Sequence, residues 1–284
     1  MFSTIFQRTG VGILILFCVL FSGVTNAISA DSKSKAPGRL KELHGITKKI
    51  DYDKGDKGVK QIRLQTLKQA AFSWGVQEGL SWRYENIVSA LDKQSLELHT
   101  VFSFNKFIVD GKMLLPSIIK AERIFDQTAS DTARTVNVSF TLDKPARLVP
   151  QTPTWRDYLI RRIDGPQKPH DVIFPRTPEE AQVWAENLDK GWKEGVKQAD
   201  DVFEIDLRRL QRDIEGMYRF RKLLAMGIVT MPKIASSKYS VVKIDNGRTM
   251  NLNDVVYSIT TQSDFTKTEK WEPFFRLGSS EGSR

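Results

Sequence analysis

The clearest structural pattern of the sequence lies in residues 177–227, TPEEAQVWAENLDKGWKEGVKQADDVFEIDLRRLQRDIEGMYRFRKLLAMG. Thr177 and Glu180 form a capping box, which satisfies free amide donors at the start of a helix, and Pro178 occupies the first helical position between them. Apolar residues then recur at three- and four-residue steps up to Gly227, which predicts one long amphipathic helix. These positions are Trp184, Leu188, Trp192, Phe203, Leu207, Leu210, Ile214, Met217 and Leu224.

A second long helical stretch is predicted over residues 59–97, where Leu64, Leu67, Ala71 and Trp74 follow the same spacing. Each long stretch contains a pair of glycines four residues apart, and such pairs allow two helix backbones to approach closely. The two pairs therefore predict a tight helix crossing, although each glycine could instead mark a bend, as near residues 191–195. The pairs are Gly75 with Gly79 and Gly191 with Gly195.

Strand patterns follow each helical stretch. Residues 135–143, TVNVSFTLD, alternate between apolar and polar positions, which indicates a half-buried strand. Two further alternating runs flank Asn246-Gly247 within residues 238–261, and Asn-Gly is the strongest short hairpin signal. The predicted fold class is therefore α+β, with two long helical stretches, a small antiparallel sheet and a C-terminal β-hairpin.

The N-terminal region resembles an export signal. Arg8 precedes an uncharged, apolar stretch that runs to Ala30, and small residues follow its apolar core. These features predict a signal peptide over residues 1–27, with a second plausible cut after Ser29 and an uncleaved membrane anchor as the alternative. Cys18, the only cysteine, follows the bulky Phe17, which is a poor context for lipidation. After cleavage no cysteine would be left for a disulfide, a metal site or a nucleophile.

The rest of the chain divides by composition. Residues 28–57 are polar and basic, which predicts a flexible tether. Residues 58–275 are predicted to form one α+β domain, and residues 276–284 a disordered tail. The formal net charge of +9 could attract nucleic acid, but positive and negative residues are mostly interleaved, as on an ordinary solvated surface.

No catalytic or metal-binding motif is evident. The three histidines, His44, His99 and His170, are far apart and lack ligand partners at metal-site spacing. The acidic pairs 179–180 and 200–201 are explained by a helix cap and by a charged helix surface. We therefore expect neither an enzyme nor a cofactor or small-molecule substrate.

The segment TPTWRDYL, residues 152–159, is a candidate partner interface because Trp, Tyr and Arg dominate protein–protein hot spots. Its candidate contact residues are Trp155, Arg156, Asp157 and Tyr158. The alternative is that these residues form a local structural corner in an irregular, proline-rich region.

Several motifs together resemble the DotC family of type IVB (Dot/Icm) secretion systems, which includes the TraI homologue of IncI-type conjugation systems. The resemblance covers roughly residues 57–260 in collinear order. The motifs are LKQAAF and GLSWR within residues 67–83, TPTWRDYL at 152–159, GWKEGVKQAD at 191–200 and LQRDIEGMYRFRKLLAMGIVTMP at 210–232.

The resemblance implies a structural component of the outer-membrane core complex, exported to the periplasm and associated with the outer membrane. The implied partners are a DotD-like lipoprotein, a DotH-like outer-membrane protein and DotF- and DotG-like core subunits, with copies of the chain arranged in a homo-oligomeric ring. Family members are lipoproteins, whereas this sequence lacks an acceptable lipidation motif at Cys18. We therefore expect a soluble periplasmic variant held by its partners, and the alternative is that Cys18 is acylated in a poor context. The alternatives are a periplasmic hydrolase that uses carboxylates and a basic DNA-binding accessory protein of conjugation.

Overall fold

The computed structural model describes residues 38–46, 60–129, 132–244, 246 and 248–266. The predicted signal peptide with Cys18 and the predicted tail lie outside these residues. The described chain divides into two compact units. Unit 1 contains the residues up to Val101 together with Leu159–Leu207, and unit 2 contains Phe102–Tyr158 and the residues from Arg208 onward. The sequence predicts one domain over residues 58–275, whereas the described residues form two compact units.

Unit 1 is helical. Its helices are α1 (38–46), α2 (Lys60–Lys93), α3 (Ser95–Val101) and the part of a longer helix that lies before Arg208, and a short 3₁₀ helix spans Asp171–Ile173. Buried side chains of α2 pack against those of the longer helix in one aromatic-rich core. Burial of each large apolar side chain contributes roughly 1.5–3 kcal/mol, so this core is the main source of stability in unit 1. The core contains Leu43, Leu67, Ala71, Trp74, Trp82, Phe174, Trp184, Leu188 and Trp192.

Helix α1 differs from the sequence prediction, which placed residues 38–46 in a flexible tether. Leu43 is buried in the core of unit 1, and Leu40 packs against it one turn away. The guanidinium of Arg39 lies 3.1 Å from the carboxylates of both Glu78 and Glu85. The apolar spacing of the two leucines, although short, is sufficient once a neighbouring helix supplies the other side of the contact. The remaining residues of the predicted tether, 28–37 and 47–57, lie outside the described residues.

The longest helix confirms the principal prediction of the sequence. Two short helices along the chain, α3 and α4 (Arg156–Leu159), precede α5, which runs without interruption from Pro178 to Ala225. The hydroxyl of Thr177 accepts a hydrogen bond from the Glu180 amide at 3.2 Å, as a capping residue does. Gly227, at φ +71°, ends the helix in a Schellman arrangement, in which Ile228 N–H donates to the Leu223 carbonyl at 2.9 Å.

Unit 2 contains all of the β-structure in the described residues. Its short antiparallel sheet has the order β1–β2–β5, formed by Ile108–Val109, Met113–Leu114 and Arg147–Leu148. Two long hairpins accompany it: β3 (Ser117–Ala129) pairs with β4 (Thr132–Lys144), and β6 (Lys233–Ile244) pairs with β7 (Thr249–Thr261). The α+β class and the C-terminal hairpin are therefore confirmed, while β3 and β4 are longer than the sequence indicates.

The hydrophobic core of unit 2 lies around the C-terminal part of α5. Its largest fully buried side chains are Phe104, Phe107, Met113, Leu114, Ile118, Trp155 and Phe220. Gly216 of α5 allows β3 to begin against the helix, because a methyl group there would lie only 1.9 Å from the Ser117 hydroxyl oxygen. Among the described residues, no helix combines the length and the apolar character needed to cross a bilayer.

Candidate interaction surfaces

The four glycines predicted to form a helix crossing lie together between α2 and α5 in unit 1. A methyl group on Gly75 would lie 2.4 Å from the carbonyl oxygen of Leu188. The equivalent group on Gly191 would lie 2.2 Å from the Phe72 carbonyl oxygen, and on Gly195 2.1 Å from that of Val76. These distances are far below van der Waals contact, so no larger residue fits without separating the helices.

Aromatic side chains pack on both sides of this glycine crossing. The ring centroids of Trp82 and Trp192 are 5.4 Å apart, and those of Trp74 and Trp184 are 6.2 Å apart. Such pairs contribute roughly 0.5–1.5 kcal/mol beyond their buried area. The arrangement packs α2 tightly against the first part of α5.

The two aromatic residues of the predicted interface segment, Trp155 and Tyr158, are buried rather than exposed. Trp155 is fully buried, and Tyr158 is 7% exposed and stacks on Phe104 at a centroid distance of 5.5 Å. Both side chains belong to the core of unit 2 and present no surface to a partner. The interface prediction is therefore wrong for Trp155 and Tyr158, which form the alternative structural corner because the proline-rich segment packs on α5.

The two polar members of the same segment are accessible. The Arg156 guanidinium lies 4.6 Å from the centroid of the Trp155 ring. The exposed Asp157 carboxylate accepts hydrogen bonds from the amide and the hydroxyl of Thr154, at 2.7 and 3.1 Å. Asp157 thus fixes the first turn of α4, and a partner role for Arg156 and Asp157 stays a prediction.

Two buried acids on α5 were not singled out from the sequence. In unit 2, Asp213 is fully buried and accepts hydrogen bonds from the Tyr158 hydroxyl at 2.8 Å and the Lys144 ammonium at 2.5 Å. Burial, followed by the nearby Asp213 charge, raises the pKa of Tyr158 well above its usual value. The sequence feature that indicates a buried Asp213 is its position on the apolar stripe of α5, beside Ile214 and Met217.

The second buried acid, Asp206, lies in unit 1. Its carboxylate accepts two hydrogen bonds from the Arg161 guanidinium, both at 2.5 Å. The Arg161 amide also donates to the hydroxyl of Tyr84, and burial raises the pKa of that tyrosine. These paired groups hold the segment after α4 against α5, which is a structural use of buried charge.

Three other polar residues considered from the sequence have partners within unit 1. His44 lies 2.9 Å from the Asp189 carboxylate, and Asp200 lies 2.7 Å from the Arg83 guanidinium. His170 caps the short 3₁₀ helix by accepting from the Val172 amide at 3.4 Å. Within the residues that the structure describes, no group of three or more His, Cys, Asp or Glu side chains is placed to hold a metal ion.

Among the hairpin side chains whose burial is described, the large exposed apolar ones lie on β6 and β7. Residues that pair across antiparallel strands share one face of a sheet, and alternate residues along a strand share it too. The pairs Val241↔Leu252 and Ser237↔Val256 follow this pattern. They define the apolar face of the hairpin, whose large members keep 49–63% of their surface exposed: Tyr239, Val241, Met250, Leu252 and Val256.

The opposite face of this hairpin contacts the body of unit 2 near its base. There the Lys112 ammonium lies 4.5 Å from the centroid of the Tyr257 ring. The Gln262 side chain, just after β7, donates to the Ala146 carbonyl at 3.1 Å. The base is thus fixed, while the apolar face along the strands remains open to solvent.

Comparison with known proteins identifies the family. Residues 61–273 match the model of the TraI family, described as "Type IV secretory system, conjugal DNA-protein transfer". The chain belongs to this family. No curated protein matches the sequence. The resemblance noted from the motifs is therefore confirmed, and this TraI-family chain is a protein related to type IV secretion and conjugation.

The match also covers every described helix and strand except α1 and the first residue of α2. It includes the glycine crossing, the buried corner at Trp155–Tyr158 and both hairpins. Membership of the TraI family implies a role within a type IV secretion complex.

Proposed function

We propose that this chain is a non-enzymatic structural subunit of the outer-membrane core complex of a type IVB secretion or conjugation system. It acts in the periplasm, beside the outer membrane, and helps to recruit and assemble DotH-like and DotD-like subunits. The assembly then connects to DotF- and DotG-like subunits. The observation that carries the proposal is the β6–β7 hairpin, a long two-stranded element whose apolar face is exposed.

An isolated two-stranded hairpin is marginally stable in water and normally needs a third strand or a packed layer. Strands β6 and β7 each exceed ten residues, and on both of them most side chains with described burial are exposed. Unpaired strand edges offer backbone donors and acceptors to a neighbouring chain. The hairpin therefore favours a subunit whose open strand edges pair with a neighbouring chain in an assembly.

The remainder of the described chain supports the same reading. The glycine crossing and its tryptophans provide a rigid helical unit, and the buried acids Asp206 and Asp213 are used in internal ion pairs and hydrogen bonds. The hydrolase and DNA-binding alternatives have no specific observation in their favour. The family, which is described by conjugal DNA-protein transfer, agrees with a component of a transport machine.

The proposal is tested by affinity purification of a C-terminally tagged chain from outer-membrane extracts, followed by mass spectrometry. The wild-type chain should retain DotH-like and DotD-like proteins. A variant with Val241→Ser and Leu252→Ser on the apolar face should lose them, while a control with Ile62→Ser on the exposed surface of α2 should not.

Equal recovery of these partners by the wild-type chain and by the hairpin variant would remove the hairpin from the proposal. Recovery of the tagged chain alone in every case would overturn the proposed function itself. The N-terminal peptide of the purified chain would also report the cleavage site and the state of Cys18.

A further inference from the structure

The two edges of the β6–β7 hairpin differ in charge. Strand β6 contains Lys233, Lys238 and Lys243 and no acidic residue, so its sequence contributes a charge of +3. Strand β7 contains a single charged residue, Asp254, and contributes −1. The hairpin thus presents one basic edge and one weakly acidic edge.

Two identical hairpins can pair along their edges in three ways. Pairing β6 with β6 of another copy would bring together two strands that each carry three lysines, and like charges across strands are destabilising. Pairing β7 with β7 would bring together two strands that each carry an aspartate. Only pairing β6 of one copy with β7 of another joins a strand of positive net charge to a strand of negative net charge. The register places Lys243 on the same face as Asp254 and Lys238 on the other face, so the direct attraction across strands is between Lys243 and Asp254.

We propose that the partner of this hairpin is a second copy of the same chain, whose β6 pairs antiparallel with β7 of the first copy. The inference rests on the proposed function, because it specifies how copies join within the assembly. The contact is heterologous, since different strands of the two copies meet. Such a contact repeats from copy to copy until the assembly closes.

The register within one hairpin shows that this pairing also aligns the apolar faces. Tyr239 and Val241 of β6 share a face with Leu252 and Val256 of β7. Any register that keeps this relationship between copies places the apolar faces side by side on the same surface of a continuous sheet. Each strand then gains a ladder of backbone hydrogen bonds on the edge that is open in a single copy.

A charge-reversal series tests the proposal on the full chain. Lys238→Glu with Lys243→Glu changes the charge of β6 from +3 to −1, so it should repel β7 of a neighbouring copy. We expect self-association, measured by analytical ultracentrifugation, to weaken at least about tenfold. Adding Asp254→Lys makes β7 positive and should restore association.

The matched control is Lys68→Glu with Lys193→Glu, which makes the same charge change at two exposed positions of unit 1. This control should associate like the wild-type chain. Association of the wild-type chain should also weaken at about 1 M salt, where the Debye length falls to about 3 Å. A charge-reversed hairpin that associates as strongly as the control would overturn the proposal.

Cross-linking identifies which edges meet. In a Cys18→Ser background, copies with Ser237→Cys are mixed with differently tagged copies with Val256→Cys and treated with a short bis-maleimide. The proposal predicts cross-links between the two kinds of copy and few within either kind. Cross-links within the Val256→Cys copies alone would instead indicate β7–β7 pairing and would overturn it.

The same samples separate this inference from the proposed function. If the charge-reversed chain loses self-association but the wild-type chain retains no DotH-like or DotD-like protein, the hairpin contact stands and the proposed function fails. If the wild-type chain retains those partners but remains a monomer at all concentrations, the function stands and the copy-to-copy contact fails. Binding of the monomer to another protein or to anionic vesicles through the same face would also overturn this inference.

Discussion

Gly79 of α2 lies directly against the backbone of Trp192 in α5. A methyl group on Gly79 would lie 2.4 Å from the Trp192 carbonyl oxygen and 3.0 Å from its Cα. This contact involves backbone atoms, which cannot move aside as the end of a flexible side chain can. The distance between the two long helices in unit 1 therefore depends on the absence of a side chain at this position.

Replacing Gly79 with alanine should destabilise unit 1. In an exposed helix interior, Gly→Ala normally stabilises by up to about 1 kcal/mol. Here the added methyl group overpacks the crossing, so we expect a net loss of about 1–3 kcal/mol in urea unfolding. Gly165→Ala is the matched control, since nothing lies within 4 Å of its added methyl group. A stabilised Gly79→Ala protein would contradict the observed crossing.

Removing the Tyr158 hydroxyl should also destabilise the protein. Tyr158→Phe keeps the aromatic packing on Phe104 but deprives the buried Asp213 carboxylate of a donor. The expected loss in the free energy of unfolding is about 1–3 kcal/mol. Chemical denaturation measures this loss, and a conservative change at an exposed tyrosine, Tyr239→Phe, serves as the control. Equal stabilities of the two variants would contradict a role for this hydrogen bond.

Trp155→Ala distinguishes a core residue from an interface residue. Truncation of a fully buried tryptophan should cost about 3–5 kcal/mol, because it removes packing and leaves a cavity. The expected result is a lower thermal midpoint of the purified chain without any partner present. A variant that keeps its thermal midpoint but no longer joins the assembly would restore the interface interpretation. Leu96→Ala, at a position that is 80% exposed, should change stability little.

The pH dependence of stability should include a contribution from Glu180. Burial raises the pKa of this carboxyl group, but hydrogen bonds from Arg63 and the Arg176 amide outweigh it, and the net pKa is lowered. A lowered pKa in the folded state means that the stabilisation is present above the unfolded pKa of roughly 4.3 and is lost as the pH falls through the folded pKa.

Glu180→Gln should therefore lower the free energy of unfolding at pH 7 by about 1 kcal/mol, with a difference from wild type that disappears in acid. Urea unfolding between pH 7 and pH 3, within the range where the chain stays folded, checks this expectation. Glu179→Gln, at the exposed neighbouring position, is the control. A difference that grows as the pH falls would have the wrong sign.

Polar substitution on the apolar face of the hairpin should leave the isolated chain intact. Leu252 is 63% exposed, so Leu252→Ser should change the free energy of unfolding by no more than about 0.5 kcal/mol. The same substitution should reduce the recovery of partners in the purification described above. A large loss of stability in the isolated chain would mean that this face is packed within a single copy.

Local sequence patterns were sufficient for the main elements. The capping box at Thr177 and the spacing from Trp184 to Leu224 identified α5, because an amphipathic stripe and a satisfied N-terminus are properties of the helix itself. Asn246-Gly247 identified the C-terminal hairpin for a similar reason, since the turn conformation depends on its own residues. The four-residue glycine spacing also led to the helices that the structure brings into contact.

Other long-range contacts cannot be predicted from these local patterns. Sequence patterns could not decide between an interface and a structural corner for Trp155 and Tyr158, because their burial depends on α5, which follows them by tens of residues. Helix α1 was not predicted for the same reason, because Leu43 is buried only through its packing with residues of α2 and α5. The internal roles of Asp206 and Asp213 likewise require partners that are distant in the chain.

Local periodicity, capping, turn chemistry and collinear motifs in the sequence therefore specify the two long helices α2 and α5, the C-terminal hairpin and the family. Only the tertiary structure decided which aromatic residues are core and which apolar residues remain exposed on β6–β7. Burial is a property of the whole arrangement, because the free energy gained by an apolar side chain depends on the surface that another element presents to it.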